Sequence, residues 1–276
     1  MSDQIHKAYS DSLTEEQFKE LSEFLYAQYG LKMSQSKKML LEGRLKPRVV
    51  KCGYDNFEHY LSFVFEQDGE ELVHMVDAIT TNKTEFFREP HHYEFLKEEV
   101  ATHWGKGQKI NLWSAGCSSG EEPYTLTMVL DELEKQKGID YNVVATDLST
   151  KVLNQAIKAV YPIKSIGLDL NSKRSYFLKN KNPELELMRV VPKLRDKVSF
   201  HRLNLVRTPY SFKNDFDLIF FRNVMIYFDR ATQFKILLAM CEKLKVGGYM
   251  FIGHSESLNG LNLPLKHVKP TIFKRI

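Results

Sequence analysis

Apolar side chains recur every three or four positions through the first eighty residues, which is the spacing of amphipathic helices. In TEEQFKELSEFLYAQYG, Thr14 and Gln17 form a capping-box pattern and Gly30 supplies a helix end. The segments SQSKKMLLEGRLKPRVVKCG, NFEHYLSFVFEQ and EELVHMVDAIT repeat this spacing. We predict an all-helical domain over residues 1–88, with its second helix kinked or interrupted near Pro47.

Over residues 89–276 short apolar runs alternate with helical segments. The strand candidates are KINLWSA, YNVVATD, FDLIFFRN and GYMFIGH, and helical segments such as EPYTLTMVLDELEKQ and ATQFKILLAMCEKL lie between them. This alternation is typical of an α/β domain, in which a parallel sheet carries helices on both faces. The pattern breaks at about residues 170–200, where one short helix and two β-like runs predict a small β subdomain insertion.

Composition excludes some classes of protein. The chain has 276 residues, of which 43% are apolar and 27% charged, as in an ordinary globular protein. No apolar run approaches the ~20 residues that span a bilayer, and the first residues lack the pattern of a secretory signal. The three separated cysteines, Cys52, Cys117 and Cys241, match neither a disulfide framework nor a zinc site. We expect a cytoplasmic protein without direct membrane insertion.

Charge is unevenly distributed along the chain. The net charge is only +4, but the segment from Leu31 to Lys51 contains seven basic residues and one acidic residue, Glu42. The basic residues are Lys32, Lys37, Lys38, Arg44, Lys46, Arg48 and Lys51. Such a stripe suits an acidic protein surface or nucleic acid, and it also suits a plain solvated helix face.

A turn of small residues follows the strand candidate KINLWSA. Ser114–Gly120 reads SAGCSSG, and open α/β sheets bind ligands where their first strand turns into its helix. The turn matches neither a dinucleotide fingerprint nor a P-loop, and the following Glu121 and Glu122 would repel phosphate but attract a cation. The next strand ends at Asp147, the usual place of an acid that holds ribose hydroxyls. A cationic, ribose-bearing ligand without phosphate indicates S-adenosylmethionine. The alternative is a plain connection in which Asp147 caps the next helix.

Several segments together resemble one protein family. TTNKTEFFREPHHYEFL, WSAGCSSGEEPYT, ATDLS, FDLIFFRNVMIYFD and GGYMFIGHSES occur in order between Thr80 and Ser257. They resemble the chemotaxis receptor glutamate O-methyltransferases, the CheR family. The resemblance implies a Rossmann-like S-adenosylmethionine-dependent methyltransferase domain with a small β subdomain, preceded by an all-α domain. The implied reaction converts glutamate side chains of membrane chemoreceptors to γ-methyl esters for sensory adaptation and releases S-adenosyl-L-homocysteine.

The resemblance also implies which residues contact the cofactor. Of the two acids after the turn, Glu122 has the family's spacing to Asp147, whereas Glu121 would need a shifted loop. The implied contacts are Asn82, Thr84, Arg88, Glu122, Asp147, Asn204, Leu205, Arg222 and Asn223.

Methyl transfer from a sulfonium is an in-line displacement that needs an aimed nucleophile. A glutamate acceptor is ionised at neutral pH and needs no general base, which agrees with the lack of an obvious catalytic His or Cys pattern. The resemblance places Arg88 and Tyr227 near the transferred methyl group, where they would aim the acceptor. Alternatively, Arg88 pairs with Glu85 or Glu89, and Tyr227 is a core aromatic residue.

The implied partners are the acidic cytoplasmic methylation helices of chemoreceptors. Arg44, Lys46 and Arg48 are our candidates for docking these helices electrostatically. Family members that tether to a receptor's C-terminal peptide carry glycines in the β-subdomain loop, whereas this chain has LKNKNPELELM. Tethering through an added edge strand is therefore doubtful, and direct docking is favoured.

Two other enzyme classes have weaker support. The segment GHSES (Gly253–Ser257) approaches the nucleophile elbow of hydrolases, but its fifth residue is Ser257, and His267 is the one histidine that follows. A nucleic-acid methyltransferase would share the fold. However, this chain has RNVMIYF where base-modifying enzymes carry an Asn/Asp-Pro-Pro-aromatic motif, so we predict no nucleic-acid partner.

The sequence gives little support to a metal site or to a non-catalytic role. His91 and His92 with Glu94 sit at a predicted helix start, where adjacent side chains point apart, so we expect no metal. A cofactor-binding module without catalysis would not need Arg88 and Tyr227.

Overall fold

A computed structural model describes residues 11–66, 69–166 and 173–276. Within these residues the N-terminal part consists of helices packed on one apolar core. Its first helix begins after the capping box of Thr14 and Gln17 and ends at Gly30, whose φ is 68°. The helices are α1 (Glu15–Tyr29), α2 (Lys38–Lys51), α3 (Phe57–Glu66) and α4 (Glu70–Ile79).

Helix α2 runs unbroken through Pro47, so the predicted interruption is wrong. A proline in a helix removes one backbone hydrogen bond and crowds the carbonyl four residues earlier. In α2, Leu41, Leu45 and Val49 are all buried in the core on both sides of the proline. Because both turns are packed, tertiary contacts outweigh the local cost of the proline.

The second part of the chain is an α/β domain. Its helices are α5 (His91–Phe95), α6 (Glu121–Lys137), α7 (Thr150–Lys158), α8 (Pro192–Arg195) and α9 (Arg230–Lys243). Its strands are β1 (Lys109–Ala115), β2 (Asp140–Asp147), β3 (Val160–Pro162), β4 (Phe177–Lys179), β5 (Leu187–Val190), β6 (Val198–Arg202), β7 (Phe216–Phe221), β8 (Leu244–Ile252), β9 (Leu265–Lys269) and β10 (Ile272–Arg275).

The main sheet has seven strands in the order β6-β2-β1-β7-β8-β10-β9. The pairs from β6 to β8 are parallel, and β10 is antiparallel to both β8 and β9. One core lies between the sheet and α5 and α6, and another between the sheet and α9. This is the predicted α/β architecture with helices on both faces, and its carboxyl-terminal strand ends meet at one edge.

The small sheet has the order β3-β5-β4, and its strands are antiparallel. It begins at Val160, earlier than the predicted residue 170, because the three-residue β3 follows α7 directly and is too short to show a period. Residues 198–200, the end of the predicted insertion, instead belong to β6 of the main sheet. Part of the predicted insertion, residues 170–172, lies outside the described residues.

The two parts of the chain touch through polar contacts at the end of α1 and of α4. The Lys32 backbone N–H donates to the Tyr227 carbonyl at 3.0 Å. The Thr150 hydroxyl donates to Asp77 at 2.8 Å. In the described ranges, none of the helices combines the length and apolar character required to cross a bilayer.

Candidate functional site

A crevice of about 290 Å³ lies between the helical part and the carboxyl ends of β1, β2 and β7. These three strands are neighbours, so the segments that follow them converge although they are far apart in sequence. The helical part forms the opposite wall with apolar side chains. These are Tyr29, Leu31, Met33, Leu40, Leu41 and Ile79.

The turn after β1 is held against the end of β2. The Gly116 backbone N–H donates to the Thr146 carbonyl at 2.8 Å, and the Ser118 N–H donates to Asp147 Oδ2 at 2.8 Å. Gly116 has a φ of 85°, and a Cβ atom there would overlap the Val224 side chain. The small residues therefore allow the turn after β1 to touch the loop after β7, and they also leave the backbone of the turn open to the crevice.

Asp147 is a crevice wall residue with both carboxylate oxygens held. Oδ2 accepts from Ser118 N, and Oδ1 accepts from Ser149 N at 3.0 Å. Burial raises the pKa of this carboxyl, and these backbone N–H groups oppose the rise. The alternative role as a helix cap is wrong, because the N-cap of α7 is Ser149, whose hydroxyl accepts from Val152 N.

The structure distinguishes the two acids that follow the turn. Glu122 lines the crevice, accepts from the Ser114 hydroxyl at 2.6 Å and lies 3.5 Å from Arg222 Nε. Burial raises the pKa of Glu122, and Arg222 opposes the rise. Glu121 accepts from Ser119 instead and is outside the crevice wall. The geometry therefore agrees with our choice of Glu122.

The guanidinium of Arg222 is committed to other protein groups. Its side chain is 1% exposed, and it donates to the Tyr93 hydroxyl at 3.0 Å and to the Arg88 carbonyl at 2.6 Å. Its Nε lies 3.5 Å from both Glu89 and Glu122. Arg222 lines the crevice as predicted. These contacts suit a role in which Arg222 holds Glu122 and the Arg88 backbone in place better than a role in which it binds a ligand directly.

Arg88 precedes α5 and Tyr227 follows β7, and both residues line the crevice. The Arg88 guanidinium donates to the Lys83 carbonyl at 3.2 Å, while Glu89, its suggested ion-pair partner, lies beside Arg222. Tyr227 is half-buried, and its hydroxyl donates to the Thr81 carbonyl at 3.2 Å. Burial raises the pKa of Tyr227, so its hydroxyl stays protonated and can donate a hydrogen bond.

The remaining predicted contacts also line the crevice, and they are Asn82, Thr84, Asn204, Leu205 and Asn223. Three of their side chains have hydrogen-bond partners. The Asn82 amide donates to the Thr80 hydroxyl at 3.1 Å. The Asn204 amide donates to the Gln28 carbonyl at 2.8 Å, which binds this residue to the helical part. Asn223 has a φ of 59°, and its amide lies 3.4 Å from Glu89 Oε1.

The three candidate docking residues all have intramolecular partners. Arg44 lines the crevice and donates to the Ile79 carbonyl at 2.6 Å. Lys46 pairs with Glu42 at 2.8 Å. Arg48 is hydrogen-bonded to Glu71, which also accepts from Tyr60. Arg48 is thus part of the helical core's polar network, whereas Arg44 is at the site.

Sequence reasoning missed the apolar wall and rim of the crevice. Ile226 is 56% exposed and Leu40 is exposed, and both line the crevice. An exposed apolar residue near a helix start, such as Leu40, is the available signal in the sequence. Among residues 11–66, 69–166 and 173–276, no group of three or more His, Cys, Asp or Glu side chains could hold a metal ion.

Comparison with known protein families agrees with this geometry. Residues 82–274 match the SAM-binding domain of CheR methyltransferases, and residues 16–80 match the all-alpha domain of CheR methyltransferases. The chain belongs to the CheR methyltransferase family. The family resemblance and the fold class that we predicted are confirmed.

Curated relatives of this chain are named chemotaxis protein methyltransferases. The protein of Borreliella burgdorferi is 35% identical over 274 residues, which is 96% of this chain and 95% of the relative. That of Escherichia coli is 35% identical, covering 91% and 87% of the two chains. Chemotaxis protein methyltransferase 1 of Pseudomonas aeruginosa is 37% identical, covering 86% and 89%. This CheR family member is therefore an S-adenosylmethionine-dependent chemotaxis protein methyltransferase.

The residues of the crevice suit S-adenosylmethionine, the predicted cofactor. Its strand-end wall presents the carboxylates of Glu122 and Asp147, which suit a cation and hydroxyl groups. Arg44 and Arg88 supply positive charge elsewhere on the lining. A ligand that carries a sulfonium, an amine, a carboxylate and a ribose needs both signs of charge. The cofactor prediction is confirmed by the family match and agrees with this donor set.

Proposed function

We propose that this protein transfers a methyl group to glutamate side chains of membrane chemoreceptors and forms γ-methyl esters for sensory adaptation. One observation about the acceptor carries the proposal. No histidine or cysteine is found among the described residues that line the crevice. The lining carboxylates, Glu122 and Asp147, are assigned to the cofactor, so an acceptor that needed deprotonation would have no uncommitted carboxylate, histidine or cysteine as its base among the described lining residues, whereas a glutamate carboxylate arrives ionised.

The chain's own residues would hold the two reactants. S-adenosylmethionine, when bound, supplies a methyl group activated by its sulfonium. Asp147 has lone pairs left to accept from ribose hydroxyls, and Glu122 faces the same crevice with negative charge. Arg88 presents a planar guanidinium that can hold a carboxylate in two hydrogen bonds.

Tyr227 would aim the acceptor by turning its one hydroxyl proton from the Thr81 carbonyl to the acceptor carboxylate. A neutral hydroxyl orients a carboxylate without neutralising its charge, so the carboxylate remains a nucleophile. Carboxylate and sulfonium become a neutral ester and a neutral thioether, and a partly dry crevice favours that loss of charge. The apolar wall from the helical part supports such an environment.

Docking of the receptor's acidic methylation helices would occur at the mouth of the crevice. Arg44 is the best placed of our three docking candidates, because Lys46 and Arg48 are paired with Glu42 and Glu71. Such docking would raise the encounter rate more than the affinity. Because those helices are cytoplasmic, the proposal puts the reaction in the cytoplasm. Tethering to a receptor peptide stays doubtful, as the sequence predicts.

An alkali-lability assay tests the proposal. The protein is incubated with methyl-labelled S-adenosylmethionine and membranes that contain a chemoreceptor, and the washed membranes are treated with alkali. We expect volatile labelled methanol, because methyl esters hydrolyse under these conditions. A receptor whose methylation-site glutamates are replaced by aspartate is the control and should release much less. Label that resists alkali, or no label on the receptor, would contradict the proposal.

A further inference from the structure

The segment GHSES is not used by the proposed reaction, yet its carboxylate, Glu256, binds the backbone of a loop that lines the crevice. Glu256 follows β8 and accepts three backbone N–H groups at once. Its Oε2 accepts from Gly253 at 2.6 Å and from Asn223 at 2.9 Å, and its Oε1 accepts from Met225 at 2.8 Å. Ser255, the residue at the nucleophile position of the elbow motif, is exposed.

Two of these three donors belong to the loop after β7 that carries site residues. This loop, Asn223–Tyr227, supplies Asn223 and Tyr227 to the crevice. Its first residue has a φ of 59°, a left-handed conformation that non-glycine residues keep only when surrounding contacts enforce it. Glu256 binds the loop at this residue and again two residues later.

Two neighbouring residues complete the hold on the loop. A Cβ atom at Gly253 would lie 2.7 Å from the Asn223 backbone nitrogen, so only glycine lets the two segments touch. Glu89 Oε1 accepts from the His254 N–H at 3.0 Å and lies 3.4 Å from the Asn223 amide. The GHSES segment and Glu89 therefore both hold the Asn223–Tyr227 loop in place.

We propose that Glu256 is a positioning residue for methyl transfer, which acts by fixing the loop that presents Asn223 and Tyr227 to the crevice. This inference rests on the proposed function. The carboxylate is needed because both of its oxygens accept, and Glu256→Gln would turn an NH2 donor toward a backbone N–H. Hydrogen bonds to a charged acceptor are also stronger than those to a neutral amide.

A double-mutant cycle separates positioning from general structural support. The wild type, E256Q, Y227F and E256Q/Y227F are compared for kcat and KM in methyl ester formation on the receptor and for affinity toward S-adenosylhomocysteine. We expect E256Q to lower kcat about tenfold or more, because small misplacements of reacting groups cost that much. In the Y227F background the same change should cost at least threefold less. Fully additive losses in kcat would overturn the proposal.

Asp131→Asn is the matched control. Asp131 is another carboxylate held in the fold, 1% exposed, but it binds Lys135 and Lys193 on α6 and α8, away from the crevice. D131N should lower the thermal midpoint and leave kcat per folded molecule unchanged. If E256Q likewise changed only the midpoint, the positioning role would be wrong.

Three further results of these experiments have different meanings. If E256Q does not fold, G253A replaces E256Q in the cycle with Y227F. G253A displaces Asn223 from the same side, and we expect the same coupling with Y227F. If the wild type forms no alkali-labile ester, the proposed function and this inference both fail. If the wild type is active and the cycle is additive, only the role of Glu256 fails.

Discussion

Individual residues around the crevice adopt backbone conformations that side chains usually avoid. Phe87, Glu89, Ser118 and Asn223 have φ values of 55°, 56°, 49° and 59°. Such residues persist only where surrounding contacts hold them, and they cluster at functional sites. Here each lies in, or next to, a segment that lines the crevice. Three other non-glycine residues with positive φ among the described residues, Ala159, Glu186 and Thr271, lie away from the crevice, so such positions are concentrated at the site but do not define it.

At the residue scale, Asp147 provides the sharpest test of the cofactor site. In Asp147→Asn the amide NH2 would face a backbone N–H of Ser118 or Ser149, and the charged acceptor is lost. We expect the affinity for S-adenosylhomocysteine to fall about tenfold to a hundredfold by calorimetry, which is the usual range for a hydrogen bond to a charged group.

The control for Asp147 lies at the other end of the same strand. Asp140 begins β2, is exposed and pairs with Lys197 at 2.7 Å. Asp140→Asn should leave the affinity for S-adenosylhomocysteine unchanged. Equal affinities of D147N and the wild type would remove Asp147 from the cofactor site.

At the scale of elements, α6 connects the main sheet to the small subdomain through ion pairs. Glu132 pairs with Lys97 and Lys173, and Asp131 pairs with Lys193 of α8. Because Lys173 and Lys193 flank the strands β4 and β5, these pairs fix the small sheet against α6. A single exposed ion pair contributes little to stability. Glu132 and Asp131 each bind two lysines, and this sharing of one carboxylate matters more than the number of ion pairs.

The end of α1 is one of the places where the helical part contacts the methyltransferase domain. Gly30 has a φ of 68°, and a Cβ atom there would lie 2.6 Å from Val206 and 3.0 Å from Thr232 of the methyltransferase domain. Gly30→Ala should therefore strain the backbone and also push the helical wall away from the crevice. We expect a lower thermal midpoint and an affinity for S-adenosylhomocysteine reduced severalfold.

Gly53 separates these two effects. Its φ is 79°, but a Cβ atom there meets nothing within 4 Å. Gly53→Ala thus carries the backbone strain, about 1 kcal/mol, without the steric push. It should lower stability slightly and leave the affinity intact. If both variants bound S-adenosylhomocysteine equally well, the α1 end would not shape the crevice.

At the scale of the whole molecule, a neutral histidine is built into the core. His92 is buried against Phe220 and Phe251, whose rings stack on each other and meet the imidazole at steep angles, and its Nε2 lies 2.8 Å from the Thr271 hydroxyl. Burial lowers the pKa of His92 to about 2, and the positive charge of Arg222 contributes. Glu89 Oε2 lies 3.6 Å from His92 Nδ1 and favours the charged form, but burial is the larger effect, so the folded protein keeps this imidazole neutral where an unfolded chain would protonate it.

The pH dependence of stability follows from this shift. Between the unfolded pKa, about 6.5, and the folded one, the unfolded state binds the extra proton, so stability falls as pH falls below about 6.5. The limiting slope is about 1.4 kcal/mol per pH unit. We expect the free energy of unfolding of the wild type to fall more steeply between pH 6.5 and 4.5 than that of His92→Gln.

Other groups titrate in the same pH range, and the comparison with His92→Gln cancels their contribution to the free energy of unfolding. Burial raises the pKa of Glu122, Asp147 and Glu256 in the folded state, which favours folding as pH falls and so opposes the His92 effect. These carboxyls are common to both chains, so the difference between the two denaturation series isolates His92. Parallel pH curves for wild type and variant would refute this account.

The sequence by itself determined the architecture and most of the crevice. Helical spacing, the capping box at Thr14 and the alternation of strands and helices are encoded by neighbouring residues. The nine cofactor contacts that the family resemblance implies all line one crevice. The resemblance also favours Glu122 over Glu121 through its spacing to Asp147, and the geometry agrees.

Only the tertiary structure decided how distant segments hold one another. Arg222 binds Tyr93, Arg48 binds Glu71, and Glu256 holds Asn223, and no local pattern reports such pairings. The unbroken α2 likewise depends on core packing on both sides of Pro47. Periodicity records which face of an element is buried, whereas contacts between loops depend on the order of strands in the sheet. That order is a property of the folded chain, set by the total free energy of packing.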